Sequence, residues 1–184
     1  MGTPPVNSSL NPALEDAKYC PRCGNEATIK FPRSLTCEHC GYGAFYNPKP
    51  VACAITTTEQ DEILLLRRGF EPQRNSWSMP GGFVDLGESV EDAAIRETKE
   101  EIGVDISLTN LVGVYSRSTD RIVVVVYAAR TTGTPIRTEE ALEIGAFGST
   151  TIPWDELAFW SDGRALRDYL NLTAANAGAR SSLP

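Results

Sequence analysis

The segment GGFVDLGESVEDAAIRETKEEIGV, Gly81 to Val104, limits the fold most tightly, because a glycine-rich turn runs straight into a helical pattern dense in acid. A glycine loop ahead of a helix usually cradles phosphate through free backbone N–H groups and the positive end of the helix dipole. Gly82 to Ser89 has the phosphate-loop spacing G-x-x-x-x-G-x-S, yet Glu88 stands where the phosphate-binding lysine belongs. On a wheel at about 100° per residue, Val90, Ala94, Ile95, Thr98 and Ile102 fill one arc, which must face a core. Glu97 and Glu101 fall within about 40° of each other at the edge of that arc, and Glu100 lies about 60° from Glu97 on the outward side. Arg96 and Lys99 point farther out. An acidic face kept only for solvation belongs opposite the apolar arc; this one borders it. Carboxylates at i, i+3 and i+4 repel unless a cation sits among them, and hard ions such as Mg²⁺ or Mn²⁺ favour oxygen donors. Glu88 then turns a phosphate loop into a metal loop, with metal binding the phosphate. A solvated helix laced by pairs such as Arg96–Glu100 remains the competing reading.

The 184 residues suffice for one ordinary domain and a small appendage. A net charge of −7 argues against a broad basic surface for nucleic acid, so a polyanionic ligand needs metal ions or a locally basic pocket. Arg67, Arg68 and Arg74 are candidates for that local charge. No stretch approaches the ~20 apolar residues of a membrane span. The start, MGTPPVNSSLNPALEDA, lacks the basic and apolar regions of a signal peptide, so a cytoplasmic location is expected.

Four of the five cysteines form Cys20-x-x-Cys23 and Cys37-x-x-Cys40, separated by thirteen residues, with Gly24 and Gly41 after the pairs. In a reducing compartment two such knuckles read as a closed tetrahedral Zn²⁺ site, each glycine letting backbone N–H groups turn toward the sulfurs. His39 is read as an exposed non-ligand and Cys53 as a small buried hydrophobe. Residues 1–18 read as a flexible polar leader, 19–45 as a zinc ribbon, 50–172 as the main domain and 173–184 as a flexible tail. YNPKP acts as a stiff linker. VACAITTT and EILLLRRG read as a hairpin, ESVEDAAIRETKEEI as a helix ended by Gly103, and TNLVGVYSR and IVVVVYAAR as strands, the second central. EEALEIGAFGST reads as a connection to a last helix over residues 162–170, capped by Ser161. The expected fold is α/β (α+β-like), a mixed β-sheet between helices.

Gly82, five residues, Glu88, seven residues and then RETKEEIGV resemble the Nudix box. Only Thr98 departs, where the box has an aliphatic residue, and a packing cost without a change of chemistry is expected. SWSMPGG and IPWDELAF extend the likeness from about Pro50 to Leu170, and the knuckles are similar to those of a zinc-ribbon Nudix subgroup. The resemblance implies a metal-dependent pyrophosphatase acting on a small dinucleotide. Gly82, Glu88, Glu97, Glu100 and Glu101 would serve the Mg²⁺ or Mn²⁺ site, Glu100 as ligand or base, with Arg96 orienting a glutamate. Glu143 lies in the loop where several relatives place a base. Arg67, Trp77, Phe83 and Tyr115 are candidate substrate contacts, and a homodimer is admitted. The Ser-Gln-Pro-Trp-Pro-Phe-Pro segment of NADH pyrophosphatases is missing after the box, whereas CPRCG, CEHCG, YNPKP and ALEIGAF follow the FAD/ADP-ribose branch. Hydrolysis of FAD or ADP-ribose to AMP is therefore expected. The alternatives are an NADH or NAD-cap pyrophosphatase, a catalytically silent ligand sensor, and an RNA-decapping enzyme. The ribbon segment, with three nearby acids beside Lys18, Arg22, Lys30 and Arg33, is a poor basic funnel for the last.

Overall fold

The structure, a computed structural model, describes residues 10–181, and side chains as far as residue 175. Of these, the residues up to Pro48 together with Arg117–Arg121 form one compact unit, and Lys49–Ser116 with those from Ile122 onward form the other. The first unit opens with a single helical turn, α1 (Pro12–Glu15), whose proline sits where its missing N–H is harmless. Leu14 is buried, so residues 10–18 are anchored by an apolar side chain where a loose leader was expected. β1 (Thr28–Lys30), β2 (Ser34–Thr36) and β3 (Gly43–Phe45) follow as a small antiparallel sheet in that order.

In the second unit, β4 (Lys49–Thr57) and β5 (Ile63–Arg68) are antiparallel neighbours. β6 (Trp77–Ser78) pairs with β5, and β7 (Gly81–Phe83) pairs with the other end of β4. After α2 (Val90–Ile102) come β8 (Ser107–Tyr115), β9 (Ile122–Arg130) and β10 (Ala141–Phe147). A 3₁₀ turn (Trp154–Glu156) leads into α3 (Trp160–Ser181). The sheet runs β10-β5-β4-β9-β8. β4 and β9 are parallel, and the other pairs are antiparallel.

Alternation along β4 and β5 places a helix on each face. Ala52, Ala54, Leu64 and Leu66 pack with Ala93, Ala94 and Ile102 of α2, while Cys53, Ile55, Ile63 and Leu65 pack with Ala165 and Leu166 of α3. Strands buried on both faces read as continuous apolar runs, which is what ILLL and VACAI are. α2 starts where Ser89 accepts the Asp92 N–H at 3.1 Å, and Gly103 ends it at φ 73°, a left-handed position that favours glycine. Thr98 satisfies its buried hydroxyl on the Ala94 carbonyl at 2.7 Å.

Three expectations need correction. Residues 141–147 are a strand, not a connection: pairing with β5 supplies their backbone partners despite Gly145 and Glu143 in the middle. The last helix begins at Trp160, and its cap is Asp162, which accepts the Phe159 N–H at 3.2 Å from the third helical position, leaving Ser161 out of that role. The helix also continues to Ser181 through most of the segment read as a tail. Residues 1–9 and 182–184, at the ends of the expected leader and tail, lie outside the described residues.

A Cβ on Gly81 would overlap the Ala52 carbonyl and the Cys53 Cα and sulfur across the β4–β7 ladder, where backbone cannot yield. Gly81→Ala should cost about 3 kcal/mol by an overpacking mechanism. Gly87→Ala meets open space and only a strained φ of 90°, so about 1 kcal/mol is expected. Urea denaturation of the two variants checks this order.

Candidate functional site

α2 and β7 build the acidic site together. Burial carries Glu101 farther inward than the wheel predicts, to 3% exposure. One oxygen of its carboxylate accepts the Gly81 N–H at 2.7 Å. Glu97 lies over Gly82, where any Cβ would overlap its carboxylate. The glycine pair therefore lets the strand come close enough for two carboxylates of α2 to reach its backbone. Loss of water raises both groups: Glu101 is pushed up to about 8, and Glu97 moves in the same direction.

Arg96 is the cation of the cluster. Its Nε and Nη2 take both oxygens of Glu88 at 2.8 and 2.9 Å, and its Nη1 reaches Glu97 at 2.8 Å and Glu100 at 3.0 Å. A further bond to the Phe83 carbonyl at 3.1 Å ties it to β7. Glu88 also accepts the Asp85 N–H at 3.1 Å, and the Arg96 bonds hold its carboxyl below the usual range. Glu88 thus anchors Arg96 through both of its oxygens. Glu100 is largely exposed, with Arg96 as its partner.

Sequence reasoning missed Glu140. The loop before β10 is fastened by Thr138, whose hydroxyl donates to the Glu101 carbonyl at 2.8 Å, and by the Gly69 N–H on the Glu140 carbonyl at 3.0 Å. The negative charge of Glu140 bears on both Glu97 and Glu101. The acid pair Glu139–Glu140 just ahead of an apolar strand was the available signal, legible only once residues 141–147 are read as a strand.

Glu143 is not part of this cluster. It projects to the sheet face that packs on α3, 59% exposed, and pairs with Arg67 at 3.2 Å. Arg67 also reaches Glu156 at 3.1 Å and lies 4.7 Å over the ring of Trp77. Trp77 is 4% exposed and meets Phe147 edge-on at 5.0 Å, so this indole is core and offers no open stacking face. Tyr115 is likewise buried, its hydroxyl donating to Asp168 at 3.1 Å. Phe83 alone of the aromatic candidates is open, at 52% exposure, with the Lys49 ammonium 5.1 Å from its ring centre.

In the first unit the four sulfurs of Cys20, Cys23, Cys37 and Cys40 lie within 4.8 Å of one another, the closest pairs at 3.6 and 3.7 Å. A tetrahedron of Zn–S bonds of about 2.3 Å has edges of roughly 3.8 Å, so the cluster fits zinc. Gly24 and Gly41 adopt φ of 76° and 70°, but their amides close turns on the Cys20 and Cys37 carbonyls at 2.9 and 3.0 Å. The amides that face sulfurs are those of Arg22, 3.4 Å from Cys20, and of Asn25 and Tyr42, just past the two glycines, on Cys23 and Cys40, as the glycine role requires. Asn25 bonds to Cys23 through backbone and side chain and lowers its thiol to about 6, favouring the thiolate a metal needs.

Folded Glu101 keeps its proton up to about 8, whereas the unfolded group releases it near 4.5. Between these limits the folded state binds more protons, so stability without added divalent cation falls as pH rises through the window. Melting of zinc-replete, magnesium-free protein should drop by a few degrees from about pH 6 to about pH 8, and Glu101→Gln should flatten the profile.

Comparison with known proteins agrees with this architecture. A family model described as NUDIX domain matches residues 47–170. The ADP-ribose pyrophosphatase of Methanocaldococcus jannaschii is 34% identical over 118 residues, 61% of this chain and 68% of its own length. The NAD-capped RNA hydrolase NudC of Haemophilus influenzae is 32% identical over 103 residues, 53% of this chain but only 38% of that protein. The crystal structure of a NUDIX hydrolase from Nitrosomonas europaea superposes with a TM-score of 0.76 at 30% identity, covering 84% of this chain and 91% of that one. The chain belongs to the NUDIX domain family.

Proposed function

We propose that this chain hydrolyses the diphosphate link of a nucleoside diphosphate derivative of the FAD or ADP-ribose type, with Mg²⁺ or Mn²⁺, releasing AMP. The observation that carries the reading is the pair Glu97 and Glu101 against the glycines of β7, two dehydrated carboxylates beside a single guanidinium. Carboxylate oxygens held this close to a glycine strand are the donors a hard divalent ion prefers. Such an ion, when bound, neutralises charge on phosphate oxygens and makes nearby water more acidic. Glu97 and Glu101 would hold it, with Glu100 within the same turn. Arg96, fixed by Glu88, aims Glu97 and Glu100 through charge-assisted bonds.

A carboxylate takes the proton of the attacking water, the water oxygen joins one phosphorus, and the bond from that phosphorus to the bridging oxygen breaks. Glu100, its side chain open to solvent beside Arg96, is the candidate for that proton acceptor. Phe83 with Lys49 is the candidate surface for a flat base and a phosphate. The four-sulfur cluster would hold a structural Zn²⁺, since four thiolates close its coordination shell.

The 34% identity to an ADP-ribose pyrophosphatase supports the substrate class, as does the lack of proline and tryptophan in β8 and β9. Similarity to the NAD-capped RNA hydrolase favours a second reading, cleavage of NADH or an NAD cap. The test is kcat/KM for FAD, ADP-ribose and NADH under one set of Mg²⁺ and Mn²⁺ conditions. FAD or ADP-ribose should lead, and a tenfold lead for NADH would reverse the assignment. Glu101→Gln should lower kcat several hundred-fold, on the order of 4 kcal/mol, with the fold kept; activity within about threefold of the parent removes Glu101 from the site. Elemental analysis of protein purified without added metal should find one zinc per chain, and a folded ribbon without metal would sink that assignment.

A further inference from the structure

The end of α2 is held by a segment that contributes no member of the proposed site. A helix leaves its last carbonyls without partners inside it, and an unsupported last turn frays. Two of those carbonyls are answered by residues just ahead of β10. The Thr138 hydroxyl donates to the Glu101 carbonyl at 2.8 Å, and the Ile136 N–H donates to the Ile102 carbonyl at 2.9 Å. The same hydroxyl oxygen accepts the Glu140 N–H at 3.3 Å, so one side chain ties its own segment to the helix. The segment is itself braced. Gly69, just past β5, donates to the Glu140 carbonyl at 3.0 Å, and a Cβ on Gly69 would come within 2.9 Å of that oxygen. Arg137 donates through Nε to the Ala141 carbonyl at 3.1 Å, where β10 begins.

Glu101 is thereby gripped at both of its ends. Its carboxylate takes the Gly81 N–H of β7, and its carbonyl takes the Thr138 hydroxyl from the segment before β10. Fraying of the last turn would move Glu101 and leave Glu97 in place, because Glu97 sits about one turn earlier and is held by Arg96 at 2.8 Å. The spacing of the two carboxylates therefore depends on the bond that closes the turn. We infer that Thr138 is a positioning residue for the acidic site. Its hydroxyl fixes the Glu101 backbone so that Glu101 and Glu97 present their oxygens to one divalent ion, the orienting work that partners behind metal ligands perform. The inference rests on the reading of Glu97 and Glu101 as metal ligands. A cap that only stabilised the helix could act at either end of α2, as Ser89 does about two turns before Glu97. Thr138 differs by bonding to the residue whose carboxylate the site needs.

The test uses the full zinc-loaded chain with Mn²⁺ as the probe. Thr138→Val keeps the shape of the side chain and removes the hydroxyl, whereas Thr138→Ser keeps the hydroxyl and drops a methyl. Ser89→Ala, which removes the cap at the other end of α2, is the control for lost helix stability. By electron paramagnetic resonance, Mn²⁺ affinity should fall about fivefold in Thr138→Val and stay within about twofold of the parent in Thr138→Ser and Ser89→Ala. Exchange of the Gly81 amide, followed by NMR well below melting, should quicken at least about fivefold in Thr138→Val and in neither of the others. Thr138→Ala takes the place of Thr138→Val if that variant does not fold, with the same expectation. Parental Mn²⁺ affinity or parental Gly81 exchange in the folded variant overturns the inference and leaves Thr138 as a helix cap, and so does an equal loss in Ser89→Ala. Mn²⁺ affinity unaltered in Glu101→Gln would instead overturn the site reading itself, whatever Thr138 does to the Gly81 amide.

Discussion

A carboxylate in the core is costly unless something polar faces it, and Glu101 is answered by one short bond from the Gly81 amide. That bond requires a strand without side chains beside α2, a helix whose polar residues border its apolar arc, and a sheet that holds the strand still. β4 meets the last need with its whole length, parallel to β9 along one edge and shared between β5 and β7 along the other. Gly81 is squeezed by β4 and Gly82 by Glu97, so the glycine pair is demanded twice, by the fold on one side and by the acid on the other.

The same physics explains why the cluster keeps its own cation. Arg96 touches Glu88, Glu97 and Glu100, and its planar fork lets one residue hold carboxylates at several angles. Glu88, at the mouth of the helix, receives the two-pronged end of that fork. The acid in the lysine position of the phosphate-loop spacing is thus explained by a partner on the same chain, one turn and more along α2.

What could be read in advance was whatever depends on near neighbours. The stop at Gly103, the four-cysteine spacing and the inward edge of Glu97 and Glu101 follow from local geometry, and the structure carries each of them. What escaped was decided by distant pairing. Residues 141–147 carry a glycine and a glutamate that spoil a strand pattern until β5 supplies partners, and the face on which Glu143 emerges depends on a register shift between Ala141 and Glu143. Reading those residues as a connection hid the side of the sheet on which Glu143 emerges. The same limit misjudged Trp77, whose neighbours in sequence are polar but whose neighbours in space are Arg67, Phe147 and Gly145.

The outer strand β8 bears on assembly. Its pairing with β9 slips twice, between Leu108 and Asn110 and between Leu111 and Gly113. Each slip bends the free edge and breaks the even row of amides and carbonyls that another sheet would need in order to extend this one. Leu111 and Val114 stand exposed along the same strand. Two copies brought together here would have to recognise each other by side chains, with each sheet remaining closed to the backbone of its neighbour.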